Sequence, residues 1–164
     1  MIDALVTRAN GIAQLLKAYG ENLGIAESSA GGLVSAALLA VPGASAYFLG
    51  GLVVYTQAAR ALLVDKDDPA MVGIRPSSEA YAILLATRVR ARLSAAWGLG
   101  ETGAAGPTGN RYGDAAGHCC IAVVGRTERV ITVETGTADR LANMSTFATR
   151  ALELLANTLA DSPK

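Results

Sequence analysis

From Ser28 to Ala59 the chain carries no charged side chain. An uncharged run of that length either crosses a bilayer as one helix or lies inside a folded domain as several buried elements. Pro42-Gly43 divides it, because proline cannot continue a helix and glycine readily ends one, and glycine pairs stand in both halves. The first half contains Ser28-Ser29-Ala30-Gly31-Gly32 and then the helix-compatible run Leu33 to Val41. The second, Ala46 to Tyr55, is rich in aromatic and β-branched residues. Two buried elements are therefore expected in place of a membrane span. Met1-Ile2-Asp3 lacks the basic start and apolar segment of a secretory leader, so the reading is of a soluble, cytoplasmic chain.

The remaining pattern alternates helices with short apolar strands. Ile2, Leu5, Ala9, Ile12, Ala13 and Leu16 recur near the helical period until Gly20 stops them. Leu23 to Glu27 reads as a strand entering the glycine turn. Thr56 is placed to cap a short helix through Leu63, Asp65 to Ile74 is a polar loop, and Ser77 or Ser78 caps a long helix through Ala96. Arg88, Arg90 and Arg92 fan out over that helix, which predicts a solvated face. Trp97 to Thr102 reads as a strand, Gly103 to Gly117 as a glycine-rich loop, Cys119 to Val124 with Arg129 to Glu134 as a hairpin, and Asp139 opens a closing helix to about Leu159. The expected fold is a three-layer α/β/α sandwich with a mixed sheet, built as one domain over residues 1–164.

Composition then narrows function. Fourteen Lys and Arg balance fourteen Asp and Glu, and no segment concentrates the basic ones, which argues against a nucleic-acid footprint or an anionic membrane surface. Cys119 and Cys120 are adjacent in a strand, where neighbouring side chains point to opposite faces and cannot bridge, a pattern that suits a reducing compartment. The glycine-rich stretches Glu27 to Gly32 and Thr102 to Gly109 follow strands, where an α/β sheet gathers its ligand. Neither has the spacing of a dinucleotide fingerprint, a phosphate-binding P-loop or a nucleophile elbow.

Ser28 has two readings. Its ordinary reading is a helix cap, and the alternative is a nucleophile beside unpaired backbone N–H groups that would hold an oxyanion, which needs a base to take its proton. The one histidine, His118, stands at a strand start next to the cysteines and is read as structural, so no Ser-His pair is built on it.

Several segments, in order, resemble one family. Ala26 to Gly32, Val41 to Phe48, Gly50-Gly51 to Val54-Tyr55, Ser78-Glu79, Thr102 to Pro107 and Gly136 to Arg140 are similar to the motifs of the CinA C-terminal domain, the nicotinamide mononucleotide deamidase family. The resemblance covers almost the whole chain. It implies an α/β/α fold acting without metal or cofactor on a small pyridine nucleotide, hydrolysing its carboxamide to the acid and ammonia by a serine mechanism. By position, Ser28 matches the nucleophile of the family's Ala-Glu-Ser-Cys-Thr-Gly-Gly motif, and Tyr55 the tyrosine of its Tyr-Ser-Asn-Glu-Ala-Lys motif. The implied substrate-binding set is Glu27, Ser29, Gly31, Gly32, Thr102, Gly103, Ala105, Gly106 and Arg140.

Two departures bear on the chemistry. Ser29 and Ala30 replace the Cys and Thr of the first motif, and Arg60 stands where the family has its catalytic lysine. Arginine stays protonated, so it cannot take a serine proton as a neutral amine can. Lys66 is the sole lysine close enough in sequence to replace it, and Tyr55 beside a fixed guanidinium is the alternative base. Arg60 itself is then left to orient the site, to stabilise charge, or to hold a phosphate or carboxylate as a two-pronged donor. In the last helix, Asn143-Met144 replaces a further basic residue of the family. Three readings stay open: a pyridine-nucleotide amidohydrolase, a catalytically silent nucleotide-binding homologue, and a hydrolase of another amide. The apolar Gly50 to Val54 segment and the alanine-rich helices would also suit a homodimer.

Overall fold

The computed structural model describes residues 1–164. Helix α1 spans Ile2–Tyr19 and ends on Gly20, whose φ of 63° lets its N–H reach back to the last carbonyls. Strand β1 (Leu23–Glu27) follows, then helix α2 (Leu33–Leu39), strand β2 (Phe48–Val53), the short helix α3 (Gln57–Arg60), helix α4 (Glu79–Arg92), strands β3 (Trp97–Ala104), β4 (His118–Val124) and β5 (Glu128–Glu134), and helix α5 (Arg140–Ala160). The uncharged stretch thus becomes a turn, a helix and an edge strand, and no helix of the chain is long and apolar enough to cross a membrane.

The five strands form one sheet in the order β2-β1-β3-β4-β5. β1 runs parallel to both β2 and β3, while β3, β4 and β5 pair antiparallel. Helices α1, α2 and α5 cover one face through a core that includes Leu5, Ile12, Leu38, Trp97, Ile121, Phe147 and Leu155. On the other face α4 packs through Tyr81, Ala82, Leu85, Ala86 and Val89. This is the expected three-layer sandwich with a mixed sheet. Cys119 joins the first core and Cys120 the α4 side, so strand alternation keeps both thiols free.

Local differences have physical causes. The long helix stops at Arg92, short of Ala96, because Leu93 turns out of helical geometry and Ser94 takes a positive φ of 51°. Ser78 is its cap, accepting from the Tyr81 N–H at 3.2 Å, while Ser77 sits at a φ of 59°. The predicted solvated arginine face is corrected. Arg88 holds the Asp68 carboxylate with both contacts at 2.7 and 2.9 Å, Arg90 donates to the Ala96 carbonyl at 3.0 Å, and Arg92 to Leu62 O at 3.1 Å. These side chains tie α4 to the loops at its ends instead of facing only water.

The parallel strands matter for function. β1 and β2 leave the sheet at their carboxyl ends into the Ser28 turn and the Tyr55 segment, and β3 ends beside them in Thr102-Gly103-Ala104. From β1 the chain crosses to β2 on one side and later to β3 on the other. The crevice above such a divergence is where open α/β sheets bind ligands.

Candidate active site

The crevice holds a cavity of about 390 Å³ lined by Ser28, Tyr55, Thr56, Gln57, Arg60, Pro76, Ser77, Thr102, Gly103, Asn110, Arg111 and Tyr112. No carboxylate, histidine or lysine lines it. Five of the residues predicted for the site, Ser28, Tyr55, Arg60, Thr102 and Gly103, meet there.

The turn after β1 is shaped by two buried acids. Glu27, fully buried, accepts from the N–H groups of Val34 and Ser35, each at 2.9 Å, and from the Ser35 hydroxyl at 2.6 Å, so it takes up the amides at the start of α2. Burial pushes its pKa up, those hydrogen bonds oppose the rise, and the neighbouring Glu101 adds to it. Glu101, from β3 and also fully buried, accepts from the N–H of Ser28 at 2.8 Å and of Ala30 at 2.9 Å. The Ser29 hydroxyl donates to its other oxygen, as does the Cys119 thiol at 3.3 Å. Burial and the Glu101 charge hold that thiol well above its ordinary pKa, so it remains a donor. Gly31 and Gly32, with φ of 67° and 94°, let the chain close this loop in a left-handed conformation that side chains disfavour.

The amides expected to be free beside Ser28 are therefore not free. Those of Ser28 and Ala30 are spent on a carboxylate of the protein itself. Glu101 was missed in the sequence because nothing in an isolated strand shows that its side chain will reach a turn 73 residues away.

Tyr55 is half-exposed, and its hydroxyl accepts from Arg140 Nη2 at 3.0 Å, with the guanidinium 5.8 Å from the ring centre. Arg140 also donates to the Gly106 carbonyl at 2.5 Å. It thus braces Tyr55 and the Gly106 loop from behind, and does not line the cavity. Glu27, Ser29, Gly31, Gly32, Ala105 and Gly106 likewise stand outside the lining and shape the turns that border it. Asn143, in the place of the family's extra basic residue, is fully buried and donates to Ala105 O and Thr137 O, both at 2.8 Å. It locks the loop.

Lys66 is not beside Ser28. It borders a second, neighbouring cavity, and its ammonium lies 3.1 Å from Asp67 on the surface. His118 is committed on both sides: Nδ1 to Glu134, and Nε2 to the Ser77 carbonyl at 2.8 Å, an acceptor only. Burial lowers its pKa, but the bonds to Glu134 and Ser77 and the Asp114 charge outweigh burial and leave it raised. It anchors Ser77, whose N–H donates to Thr102 Oγ1 at 3.1 Å on the cavity wall.

Sequence reasoning also missed Asn110, Arg111 and Tyr112. The available signal was that they are the three bulky polar side chains in the glycine-rich Gly103 to Gly117 loop that precede its acid, Asp114. That acid takes two hydrogen bonds from Arg75, at 2.7 and 3.0 Å, and one from Asn110 at 2.8 Å, which depress its pKa against the effect of burial.

Comparisons with known proteins agree on a family. The profile described as the CinA C-terminal domain matches residues 6–159. A CinA-like protein from Salinibacter ruber is 33% identical over 155 residues, covering 94% of this chain and 38% of the relative. One from Gloeobacter violaceus is 37% identical over 131 residues, covering 79% of this chain and 31% of the relative. The chain therefore spans about a third of the length of these curated relatives. Among solved structures, a competence-damaged protein (CinA) superfamily protein from Klebsiella pneumoniae superposes with a TM-score of 0.88 at 25% identity, over 96% of this chain and 99% of that one. A competence/damage inducible protein from Agrobacterium tumefaciens gives 0.82 at 26% identity, with 95% of each chain covered.

Proposed function

The chain belongs to the family of CinA C-terminal domains, and on that premise we propose that its crevice is the site of a pyridine-nucleotide amidohydrolase that turns a nicotinamide mononucleotide into the acid and ammonia. The observation that carries this reading is the meeting of Ser28, Tyr55, Arg60 and Thr102 around one cavity at the carboxyl ends of three parallel strands.

Ser28 sits half-buried on a turn fixed from behind, with its side chain on the cavity wall. Its hydroxyl oxygen attacks the carboxamide carbon while the Tyr55 hydroxyl relays a proton, accepting that of the serine and passing its own on toward the amide nitrogen. Arg140, which donates to the phenolic oxygen, holds that hydroxyl in place. The proton passes to the amide nitrogen, the C–N bond breaks, and ammonia leaves an ester on Ser28. Water then cleaves the ester, one proton returning to the serine oxygen. With the Ser28 and Ala30 amides occupied, charge on the tetrahedral oxygen falls to the cavity's side-chain donors, Thr102, Asn110 and the fixed cation Arg60.

A second reading, a nucleotide-binding homologue without turnover, is favoured by that same occupation of the amides and by the arginine at position 60. The two are separated by assaying ammonia and the acid product from nicotinamide mononucleotide with the purified chain and its Tyr55→Phe variant. Release that falls by about 10²-fold or more in Tyr55→Phe supports the enzyme. Binding without release supports the homologue.

A further inference from the structure

Among the cavity residues that come from the Gly103 to Gly117 loop, Asn110 alone carries a carboxamide. Its oxygen is used inside the loop, accepting from the N–H of Tyr112 at 3.0 Å and of Asp114 at 3.2 Å. Two backbone donors on one atom fix which end of the group is oxygen, because the NH2 end cannot accept. The nitrogen donates one hydrogen to Asp114 Oδ2 at 2.8 Å. One N–H of the group is left over, on a side chain that lines the crevice.

The loop closes tightly around this arrangement. The Asn110 N–H donates to the Asp114 carbonyl at 3.1 Å and the Gly113 N–H to the Asn110 carbonyl at 3.4 Å. Gly113 takes a φ of 97°, and a Cβ at Gly109 would fall 2.1 Å from the Asp114 carbonyl oxygen, so both positions need glycine. Asp114 is gripped in turn from outside the loop. Arg75 donates to both carboxylate oxygens and also to the Pro76 carbonyl at 3.1 Å, and His118 Nε2 lies 3.7 Å from Oδ1. The Arg75–Asp114 pair thus ties the wall of Pro76 and Ser77 to the wall of Asn110, Arg111 and Tyr112.

We propose that Asp114, held by Arg75, is a positioning residue that aims the remaining Asn110 N–H at the oxygen of the amide attacked by Ser28. The inference rests on the reading of the crevice as an amidohydrolase site, and it names the donor that takes the place of the backbone amides occupied by Glu101. A donor oriented before the ligand arrives needs no reorganisation as charge develops, and three side-chain hydrogen bonds orient this one. Arg75 balances the Asp114 charge, so the acid directs the amide without setting a net negative charge beside the developing oxyanion. A neutral bound amide gains less from such an N–H than the charged tetrahedral oxygen does, so the contribution falls on kcat and not on KM.

The test is a kinetic cycle on the full chain, following ammonia release from nicotinamide mononucleotide. Asn110→Ala is expected to lower kcat by about 10²-fold and Asp114→Ala by about tenfold, each with KM within about threefold. The deciding measurement is the double variant. Acting through Asn110, Asp114→Ala costs less than about twofold in kcat once position 110 is alanine. Arg75→Gln, at a side chain 43% exposed, lowers kcat in the native background and not in Asn110→Ala, and it carries the same cycle where Asp114→Ala fails to fold. Losses that multiply in the double variants, a rise in KM with kcat unchanged, or release that ignores Asn110→Ala would overturn the assignment and leave the amidohydrolase reading standing. No release by the native chain would end that reading, and the positioning role with it.

Discussion

Two buried ionisable residues decide how Ser28 is presented to the crevice. Glu101 collects the Ser28 and Ala30 amides, the Ser29 hydroxyl and the Cys119 thiol, so the turn is held by a single carboxylate reaching from another strand. Glu101→Ala leaves buried donors without an acceptor and is expected to cost about 3 kcal/mol of stability in urea unfolding. Glu101→Gln keeps an oxygen for the two amides and costs about 1 kcal/mol. Equal, negligible losses in both variants would show that the turn does not depend on this contact. His118 holds the opposite wall through Ser77. Its pKa is raised above 6.5 in the folded chain, so its charged form is favoured by folding. The stability it adds is complete below 6.5 and is lost as pH rises through the higher folded value. The difference in unfolding free energy between the native chain and His118→Gln should therefore shrink as pH increases from 6 to 9, and a difference that grows would contradict the bonding described here.

At the scale of elements, the site depends on how closely α4 lies on the sheet. Gly98 and Gly100 in β3 face it, and a Cβ at these positions would come within 2.1 Å of the Ala86 carbonyl oxygen and 2.2 Å of that of Ala82. The neighbours are backbone, so they cannot give by side-chain rotation. Gly100→Ala must lift α4, at a cost of about 2–3 kcal/mol, measurable as a lower urea midpoint. Because Ser77 and Pro76 enter α4 from the cavity wall, the same variant should weaken ligand binding, while an alanine at Gly11, which meets nothing within 4 Å, should do neither. Element boundaries were legible in the sequence where a local rule acts: the Gly20 cap, the Thr56 cap accepting from Ala59 N–H at 3.2 Å, and the Asp139 cap of α5 at 3.0 Å all follow from short-range chemistry. The Arg88 to Arg92 stripe was misread for the converse reason. Helical spacing gives the direction of a side chain but not the loop that folds back to meet it, as Asp68 does.

At the scale of the whole molecule, three parallel strands deliver their ends to one crevice, and the antiparallel pair β4–β5 extends the sheet away from it. That layering was legible because alternation of apolar strands and helices leaves few ways to bury both faces of a sheet. Ser28, Tyr55 and Thr102 were legible as motif positions. Glu101, Arg111 and Tyr112 were not, because their roles come from contacts across tens of residues, and neither was the fact that Arg140 braces Tyr55 from behind. The account turns on whether the Ser28 oxygen makes and breaks the bond. Ammonia release from nicotinamide mononucleotide, measured for the native chain and for Ser28→Ala under conditions where both are folded, tests this most directly. The account predicts release by the native chain and a fall of about 10³-fold or more in the variant; equal release by the two proteins would contradict it.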